Sequence, residues 1–251
     1  MDSIIEFRNV HKAFGHQKVL DDVSLTIPRG KTTVIIGPSG TGKSVTIKLL
    51  VGLMKPDQGE IYVSGREITR LKERDLYEVR KKFGMLFQDG ALFDSMTVGE
   101  NIAFPLKQHT KKSDREIKEI VAMRLAQVGL PGVEYKFPGE LSGGMRKRVG
   151  IARALVLEPE IVLFDEPNSG LDPVMSDAID KLILKLQHEL GMTFVVISHD
   201  LDGTFQIADR IAMLYKARCI AEATKDEVKH SDNPILRQFF SRSSDGPIQV
   251  V

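Results

Sequence analysis

A glycine-rich stretch near the start of the chain has residue types that can hold a phosphate group. It reads Gly37, Pro38, Ser39, Gly40, Thr41, Gly42, Lys43, Ser44. A β-branched run precedes it and an apolar-periodic segment follows it, which predicts a strand, a glycine-rich turn and a helix. Glycines let backbone N–H groups point at one phosphate, Lys43 supplies a positive charge, and Ser44 supplies an oxygen suited to Mg²⁺. The residues therefore predict a nucleotide-binding loop, with a flexible turn before a helix as the alternative.

Two adjacent carboxylates follow a second apolar run at residues 161–164. Asp165 ends that predicted strand, where we expect it to hold Mg²⁺ beside Ser44, directly or through water. Glu166 comes one residue later, where it can polarise a water that attacks the γ-phosphate. Acidic pairs also begin helices, but the phosphate loop upstream favours the catalytic interpretation.

The composition is that of one intracellular globular protein. The 251 residues are 42% hydrophobic and carry a formal net charge of +1, so bulk charge does not favour nucleic-acid binding. Cys219 is the single cysteine, which indicates a reducing compartment. We expect no signal peptide, and no apolar stretch approaches the about 20 residues of a membrane helix. Any action at a membrane would then require a partner.

The predicted elements are those of an α/β protein with a helical insertion. Strands alternating in character at 4–14 and 19–27 predict an antiparallel hairpin, and short apolar runs later in the chain predict buried strands. Strand patterns vanish between Phe93 and about Glu158. There, Ser113 begins a capping box before a helix that is expected to end near Gly129.

Leu141, Ser142, Gly143, Gly144 and Met145 precede a second helix in this insertion. A serine hydroxyl and two glycines at a helix N-terminus make another anion site from backbone N–H groups. The alternative is a capped helix with a flexible start.

The motifs, taken in order, resemble the ATP-binding cassette family, whose signature is Leu-Ser-Gly-Gly-x. The resemblance covers nearly the whole chain, and the motifs that carry it are Gly37–Ser44, Gln88, Leu141–Met145, Ile161–Glu166, Ser169–Asp172 and His199. The resemblance implies a P-loop NTPase core of the RecA-like type, with an antiparallel β subdomain and an inserted α-helical subdomain. We expect one ATPase domain over 1–251: a core of 1–92 and 158–223, a helical subdomain of 93–157 and a helical tail of 224–251.

The same resemblance implies that two copies meet head to tail, with each ATP held between one copy's phosphate loop and the other's signature. Ser142, Gly143 and Gly144 then serve the partner's nucleotide, and Asp172 crosses the dimer seam. Nucleic acid has no part in this arrangement.

Further roles follow from the resemblance. Gln88 is expected to sense Mg²⁺ and the γ-phosphate, so that Ser44, Gln88 and Asp165 form the metal set. His199 is expected to contact the γ-phosphate and to help hold the attacking water, although a lone histidine after a strand is more often structural. Phe14 stands where the family carries an aromatic residue that stacks on adenine, and a core phenylalanine is the alternative.

One position departs from the family, because Asn168 stands where Thr or Ser is common. Asn can still hydrogen-bond, so we expect activity with a locally different loop. The run Arg146, Lys147, Arg148 after the signature is expected to be solvated helix surface.

Three stretches are similar to the ATPase subunit of Mla-type transporters: Phe87–Val98, Glu100–Leu106 and the tail around 237–247. That resemblance implies phospholipid transport between membranes to maintain outer-membrane lipid asymmetry. It also implies a permease, a lipid-binding MCE-type protein, an accessory regulator, and a position on the inner face of the cytoplasmic membrane. An exposed Leu92/Phe93 pair is expected to form a groove for a partner's helix, and packing of the helical lobe has equal weight.

The alternative from another class is a soluble cassette without a permease, such as an iron–sulfur assembly ATPase. It fits the stretch from Gln88 to Phe104 less well. A small-molecule kinase with a P-loop would leave Leu141–Met145 and His199 without a role.

Overall fold

The computed structural model describes residues 2–88 and 90–249. Its strands, numbered in chain order, are β1 Ser3–Phe14, β2 Gln17–Pro28, β3 Thr32–Ile36, β4 Gln58–Val63, β5 Arg66–Glu67, β6 Phe83–Leu86, β7 Ile161–Asp165, β8 Thr193–Ile197, β9 Arg210–Tyr215 and β10 Arg218–Thr224. Its helices are α1 Lys43–Leu50, α2 Glu73–Arg80, α3 Val98–His109, α4 Asp114–Gln127, α5 Gly143–Leu155, α6 Pro173–Leu190, α7 Leu201–Ile207, α8 Lys225–Lys229 and α9 Pro234–Ser241.

The chain forms two compact units. One consists of Met1–Leu76 with Ile197–Val251, and the other of Tyr77–Val196. The core, helical subdomain and tail expected from the sequence remain a prediction, since their boundaries are not those of the two units. No helix within residues 2–88 and 90–249 is both long enough and apolar enough to cross a membrane.

The first unit contains the antiparallel strands that the sequence predicts. β1 pairs with β2 and with β4 in a sheet of order β2-β1-β4-β5. Three further strands of this unit pair with one another. β9 lies between β3 and β10; it runs parallel to β3 and antiparallel to β10. Every residue of β3 is buried, as expected for a β-branched run inside a parallel sheet. β10 was not predicted, because its residues are nearly all half-buried and show no alternation.

The second unit combines the strands β8-β7-β6 with three helices that lie between β6 and β7 in the chain and a fourth that follows β7. Ser113 and Glu116 form the capping box predicted for α4. α3 was not predicted, although Thr97 and Glu100 form a capping box at its start. Pro105 lies inside α3, and a proline usually marks the end of a helix, which obscured the pattern.

Candidate active site

The phosphate loop lies between β3 and α1, and its backbone requires glycine at two points. Gly37 has φ +146°, and a Cβ added there would lie 2.1 Å from the carbonyl oxygen of Leu214. Gly42 has φ +97°, and its Cβ would lie 2.8 Å from the carbonyl oxygen of Val19. Both positions exclude a side chain on steric grounds alone. The loop can therefore pack this closely against its neighbours only with glycine at residues 37 and 42.

Lys43 lies within the curve of this loop. Its Nζ donates to the carbonyl oxygens of Gly37 at 2.7 Å and Pro38 at 3.0 Å, and the residue is 8% exposed. Thr41 Oγ1 donates to the same Pro38 oxygen at 2.9 Å. These bonds hold the loop closed around the lysine.

The opening of the loop is suited to an anion. Ser39, Gly40 and Ser44 are exposed, and the first turn of α1 carries no acidic residue. The positive end of the helix dipole and the Lys43 ammonium therefore act in the same direction. The cradle fits a phosphate group.

Phe14 ends β1 and is 46% exposed, which excludes the core alternative. The Nζ of Lys12 lies 5.7 Å from the centroid of its ring. Asp57 braces β1 at the two residues that precede Phe14. Its carboxylate accepts from the backbone N–H of Ala13 at 2.7 Å and from Lys12 Nζ at 2.6 Å. The hydrogen bond from Lys12 lowers the pKa of Asp57 below its usual value. Sequence reasoning missed Asp57, because its Pro- and Gly-containing surroundings indicated only a chain break.

His199 follows the end of β8 and is exposed. The turn around it is braced by its neighbours: the backbone N–H of Asp200 donates to Ser198 Oγ at 2.9 Å, and the Asp200 side chain caps α7. The imidazole is thus presented at the carboxyl end of a strand, where ligands bind in open α/β sheets.

In the second unit, the structure brings together Glu166 and Gln88. The Gln88 amide Nε2 donates to Glu166 Oε2 at 3.4 Å. β7 ends at Asp165, and Glu166 follows with φ +49°. Both carboxylates are half-buried.

Asn168, the departure from the family pattern, has a definite partner. Its Nδ2 donates to Oδ1 of Asp180 at 2.9 Å, and Asp180 is 2% exposed. A buried carboxylate needs a donor, and the asparagine amide supplies one. The substitution therefore preserves a hydrogen bond at this loop.

Asp172 and Ser142 are both N-caps. Asp172 accepts from the backbone N–H groups of Val174 and Met175, each at 3.0 Å, and begins α6. Ser142 accepts from the backbone N–H of Met145 at 3.3 Å and begins α5, whose first turn carries no acidic residue. The predicted anion site at the signature thus has the N-terminus that it requires.

The glycines of the signature differ in how tightly they are packed. A Cβ on Gly144 would lie 2.2 Å from Cε of Met175, whereas one on Gly143 would meet nothing closer than 3.5 Å. Gly144 is buried and Gly143 is half-buried. Gly143 therefore leaves room beside the helix N-terminus for another molecule.

The expectation of a solvated surface after the signature is wrong. Lys147 is 4% exposed. Arg146 Nη1 donates to the carbonyl oxygen of Leu141 at 2.7 Å, and Arg148 Nη1 donates to that of Val128 at 3.1 Å. Three consecutive helical residues point in directions about 100° apart, so they cannot all face solvent.

An apolar groove of about 630 Å³ lies in the second unit. Its aromatic residues are Tyr77, Phe83, Phe87, Phe93, Phe104 and His109. The Phe93 ring packs against Phe104 at a tilt of 56°, with ring centroids 5.3 Å apart. Phe93 is 44% exposed, as predicted for the Leu92/Phe93 pair, whereas Leu92 is half-buried. Asp89 of this stretch lies outside the described residues.

Arg153 connects the groove to the segment after Gln88. Its guanidinium donates to the carbonyl oxygens of Ala91 and Gly90, both at 2.8 Å. Burial lowers the pKa of Arg153 below its usual value. Arg153 therefore joins the groove to the backbone at residues 90 and 91.

The expected metal ligands belong to the donor class that Mg²⁺ prefers. Ser44, Gln88 and Asp165 offer hydroxyl, amide and carboxylate oxygens, which are hard donors. In the described part of the chain, no group of three or more His, Cys, Asp or Glu side chains is placed to hold a metal ion.

The family model described as ABC transporter matches residues 20–169. This chain belongs to the ABC transporter family. The match spans the phosphate loop, the signature and both carboxylates. The predicted ABC ATPase fold is confirmed, and the chain is a nucleotide-binding ATPase of this family.

Curated relatives match almost the whole of this ABC ATPase. It is 47% identical over 244 residues to the probable ribonucleotide transport ATP-binding protein mkl of Mycobacterium bovis, covering 97% of this chain and 68% of that protein. It is 42% identical over 247 residues to the intermembrane phospholipid transport system ATP-binding protein MlaF of Haemophilus influenzae, covering 98% and 94%. MlaF of Escherichia coli K12 is 41% identical over 246 residues, covering 98% and 91%.

Solved structures of ABC cassettes share the fold. A dimeric cassette in a post-hydrolysis state, bound to ADP and Pi, is 32% identical with a TM-score of 0.79, covering 88% of this chain and 98% of that one. The cbiO1 subunit from Clostridium perfringens, part of the ABC transporter complex cbiONQ, is 30% identical with a TM-score of 0.85, covering 91% of each chain.

Proposed function

We propose that the chain is the ATP-hydrolysing subunit of a transporter that moves phospholipids between membranes by driving a separate permease. The match to MlaF of H. influenzae, over 98% of this chain and 94% of that protein, carries the proposal. Few residues of either protein therefore lie outside the similarity.

ATP binds at the phosphate loop of the first unit. Its phosphates meet the loop backbone and the Lys43 ammonium, and its adenine stacks on Phe14. The steric exclusion of side chains at Gly37 and Gly42 and the exposure of Phe14 support this assignment. The contacting residues are Phe14, Gly37, Pro38, Ser39, Gly40, Thr41, Gly42, Lys43 and Ser44.

Hydrolysis uses Glu166 as the general base, which takes a proton from the water that attacks the γ-phosphate. His199 holds that water and contacts the γ-phosphate, and Lys43 offsets the charge that develops on the phosphate oxygens. Ser44, Gln88 and Asp165 hold Mg²⁺. When bound, Mg²⁺ neutralises charge on the β- and γ-phosphate oxygens.

Gln88 links the nucleotide to the base. The hydrogen bond between its amide and Glu166 supports a role in sensing the γ-phosphate, since a shift of either side chain alters the other. The carbonyl oxygen of Gly90, two residues after Gln88, accepts a hydrogen bond from Arg153 in the groove. Nucleotide state and groove geometry are therefore coupled.

The working unit is a homodimer. Ser142, Gly143 and Gly144 present the N-terminus of α5 to the ATP of the partner copy, and Asp172 lies at the seam. The exposure of Ser142 and Asp172 supports this role, as does the dimeric state of a cassette that is 32% identical.

The permease docks a helix in the aromatic groove. Among the described residues that line it are Arg80, Lys81, His109 and Arg153, and none of those described is acidic. We expect the docked helix to combine apolar side chains with an acidic one, because charge complementarity steers and orients such contacts.

Other components are those that the resemblance to Mla-type transporters implies. We propose an MCE-type lipid-binding subunit, an accessory regulator, and a cytoplasmic, peripheral position on the inner face of the inner membrane. The alternative, a soluble ATPase without a permease, is not favoured by the curated relatives, which are named as transport proteins.

Native co-purification tests the proposal. The tagged chain is extracted from membranes in mild detergent, and its partners and bound small molecules are identified by mass spectrometry. An integral membrane protein with phospholipid enriched over that in mock extracts supports the proposal. An enriched ribonucleotide cargo, as the name of the mkl relative implies for that protein, contradicts the lipid assignment. The absence of any membrane partner contradicts the transporter assignment.

A further inference from the structure

Lys147 is a buried lysine in α5, at 4% exposure. A buried ammonium costs several kcal/mol unless it is paired or hydrogen-bonded. The groups around its Nζ therefore indicate what the charge does.

Two of those groups belong to the loop that follows β7. Lys147 Nζ lies 3.1 Å from Ser169 Oγ and 3.4 Å from the backbone carbonyl oxygen of Glu166. The Ser169 hydroxyl lies 3.3 Å from the carbonyl oxygen of Gln88, to which it can donate. A hydroxyl that accepts from an ammonium still has its own proton to donate. Lys147, Ser169 and Gln88 thus form one directed chain of hydrogen bonds.

The Glu166 carbonyl oxygen has a second donor in the same loop. The backbone N–H of Ser169 donates to it at 3.1 Å and closes a turn. Glu166 itself has φ +49°, a left-handed conformation that is strained for a non-glycine residue. Lys147 bonds to the turn at the carbonyl of its strained residue.

The position of Lys147 along α5 adds a further connection. Ser142, the N-cap of this helix, is five residues earlier in the sequence, so both residues move with one rigid element. The N-terminus of α5 faces the nucleotide of the partner copy under the proposed function. The ammonium then contacts the loop that carries the base for the nucleotide of its own copy.

We propose that Lys147 is a positioning residue for hydrolysis. It holds the backbone of Glu166 and, through Ser169, that of Gln88, so that their side chains keep their mutual hydrogen bond. It also connects the signature helix to that pair, so that a partner's nucleotide at the signature helps to set the position of the base. This inference rests on the proposed role of Glu166.

The test uses Lys147→Met, which keeps an unbranched apolar side chain without the ammonium donor, and Lys147→Arg, which keeps charge and donors. Steady-state ATP hydrolysis by the full chain is measured with Mg²⁺. We expect Lys147→Met to lower kcat about ten- to a hundredfold, the range for misplaced catalytic groups, with the KM for ATP unchanged. Lys147→Arg should recover most of the loss. A kcat of Lys147→Met equal to wild type, or a change confined to KM, would overturn the inference.

Three further variants separate the explanations. Lys185→Met changes an exposed lysine of α6 in the same way and should hydrolyse ATP like wild type. Glu166→Gln tests the base itself. If Glu166→Gln is inactive while Lys147→Met is fully active, only the inference about Lys147 fails. If Glu166→Gln hydrolyses ATP normally, the proposed function fails too.

If the Lys147 variants do not fold, Ser169→Ala provides the test. It breaks the link to Gln88, so a lowered kcat supports the inference and an unchanged kcat refutes it.

Discussion

The side-chain amide of Gln88 donates to the carboxylate of Glu166 across 3.4 Å. This single contact joins the residue proposed to sense the γ-phosphate to the proposed base. A carboxylate in this place can accept a proton from water, whereas an amide cannot.

Glu166→Gln should therefore reduce kcat for ATP hydrolysis by about 10²–10⁴-fold, the usual contribution of a general base. ATP binding should persist, because the phosphate loop is unchanged. Size-exclusion chromatography with ATP should then reveal a dimer that wild type, which turns over its nucleotide, does not accumulate. Steady-state hydrolysis at the wild-type rate would disprove the assignment of Glu166.

Gly37→Ala should abolish ATP binding or folding, because the new Cβ would lie 2.1 Å from the Leu214 carbonyl oxygen. Gly65→Ala is the matched control outside the ATP site: Gly65 has φ +75° but no atom within 4 Å of its added Cβ. The control should lose only about 1–2 kcal/mol of stability from backbone strain. Thermal unfolding and equilibrium ATP binding measure both, and equal losses would refute the steric explanation.

Phe14→Ala should weaken ATP binding and leave the binding of inorganic tripolyphosphate unchanged, because the ring is proposed to contact only the base. Asp57→Ala should have the same selective effect to a smaller degree, since it frees the Ala13 backbone N–H and the Lys12 ammonium. Calorimetric titration with the two ligands separates base contacts from phosphate contacts. Equal weakening for both ligands would indicate general damage to the loop instead.

Phe93→Glu should prevent docking of the permease, because it places a charge among the aromatic rings of the groove and removes the ring contact with Phe104. We expect at least tenfold less co-purified membrane partner with ATP binding intact. Leu53→Glu, at a residue that is 64% exposed outside the groove, is the control and should retain the partner. Normal recovery with Phe93→Glu would exclude this groove as the docking site.

Much of the fold could be predicted from local patterns. The bounds of β1, α4 and β7 differ from the predicted ones by only one or two residues, because strong periodicity or a capping box marks them. The phosphate loop was recognisable because its glycines and Lys43 act within a few residues of one another. Roles proposed for the site residues remain predictions.

Other features depend on partners that are distant in the chain. Asp57 braces Ala13 across 44 positions, and nothing in the neighbourhood of Asp57 indicates that contact. Lys147 stands between two arginines and seemed a surface residue, yet its Nζ reaches Ser169, 22 positions later. Single-sequence patterns carry no information about such pairs.

The sequence by itself determined the chemistry of the individual motifs and their order. Residue type and spacing are sufficient there, because each motif acts through its own backbone and side chains. Tertiary structure decided which side of a helix faces inward, which residues brace the motifs, and that Gln88 contacts Glu166. Those outcomes depend on packing between segments far apart in the chain, where burial and hydrogen-bond geometry select one arrangement.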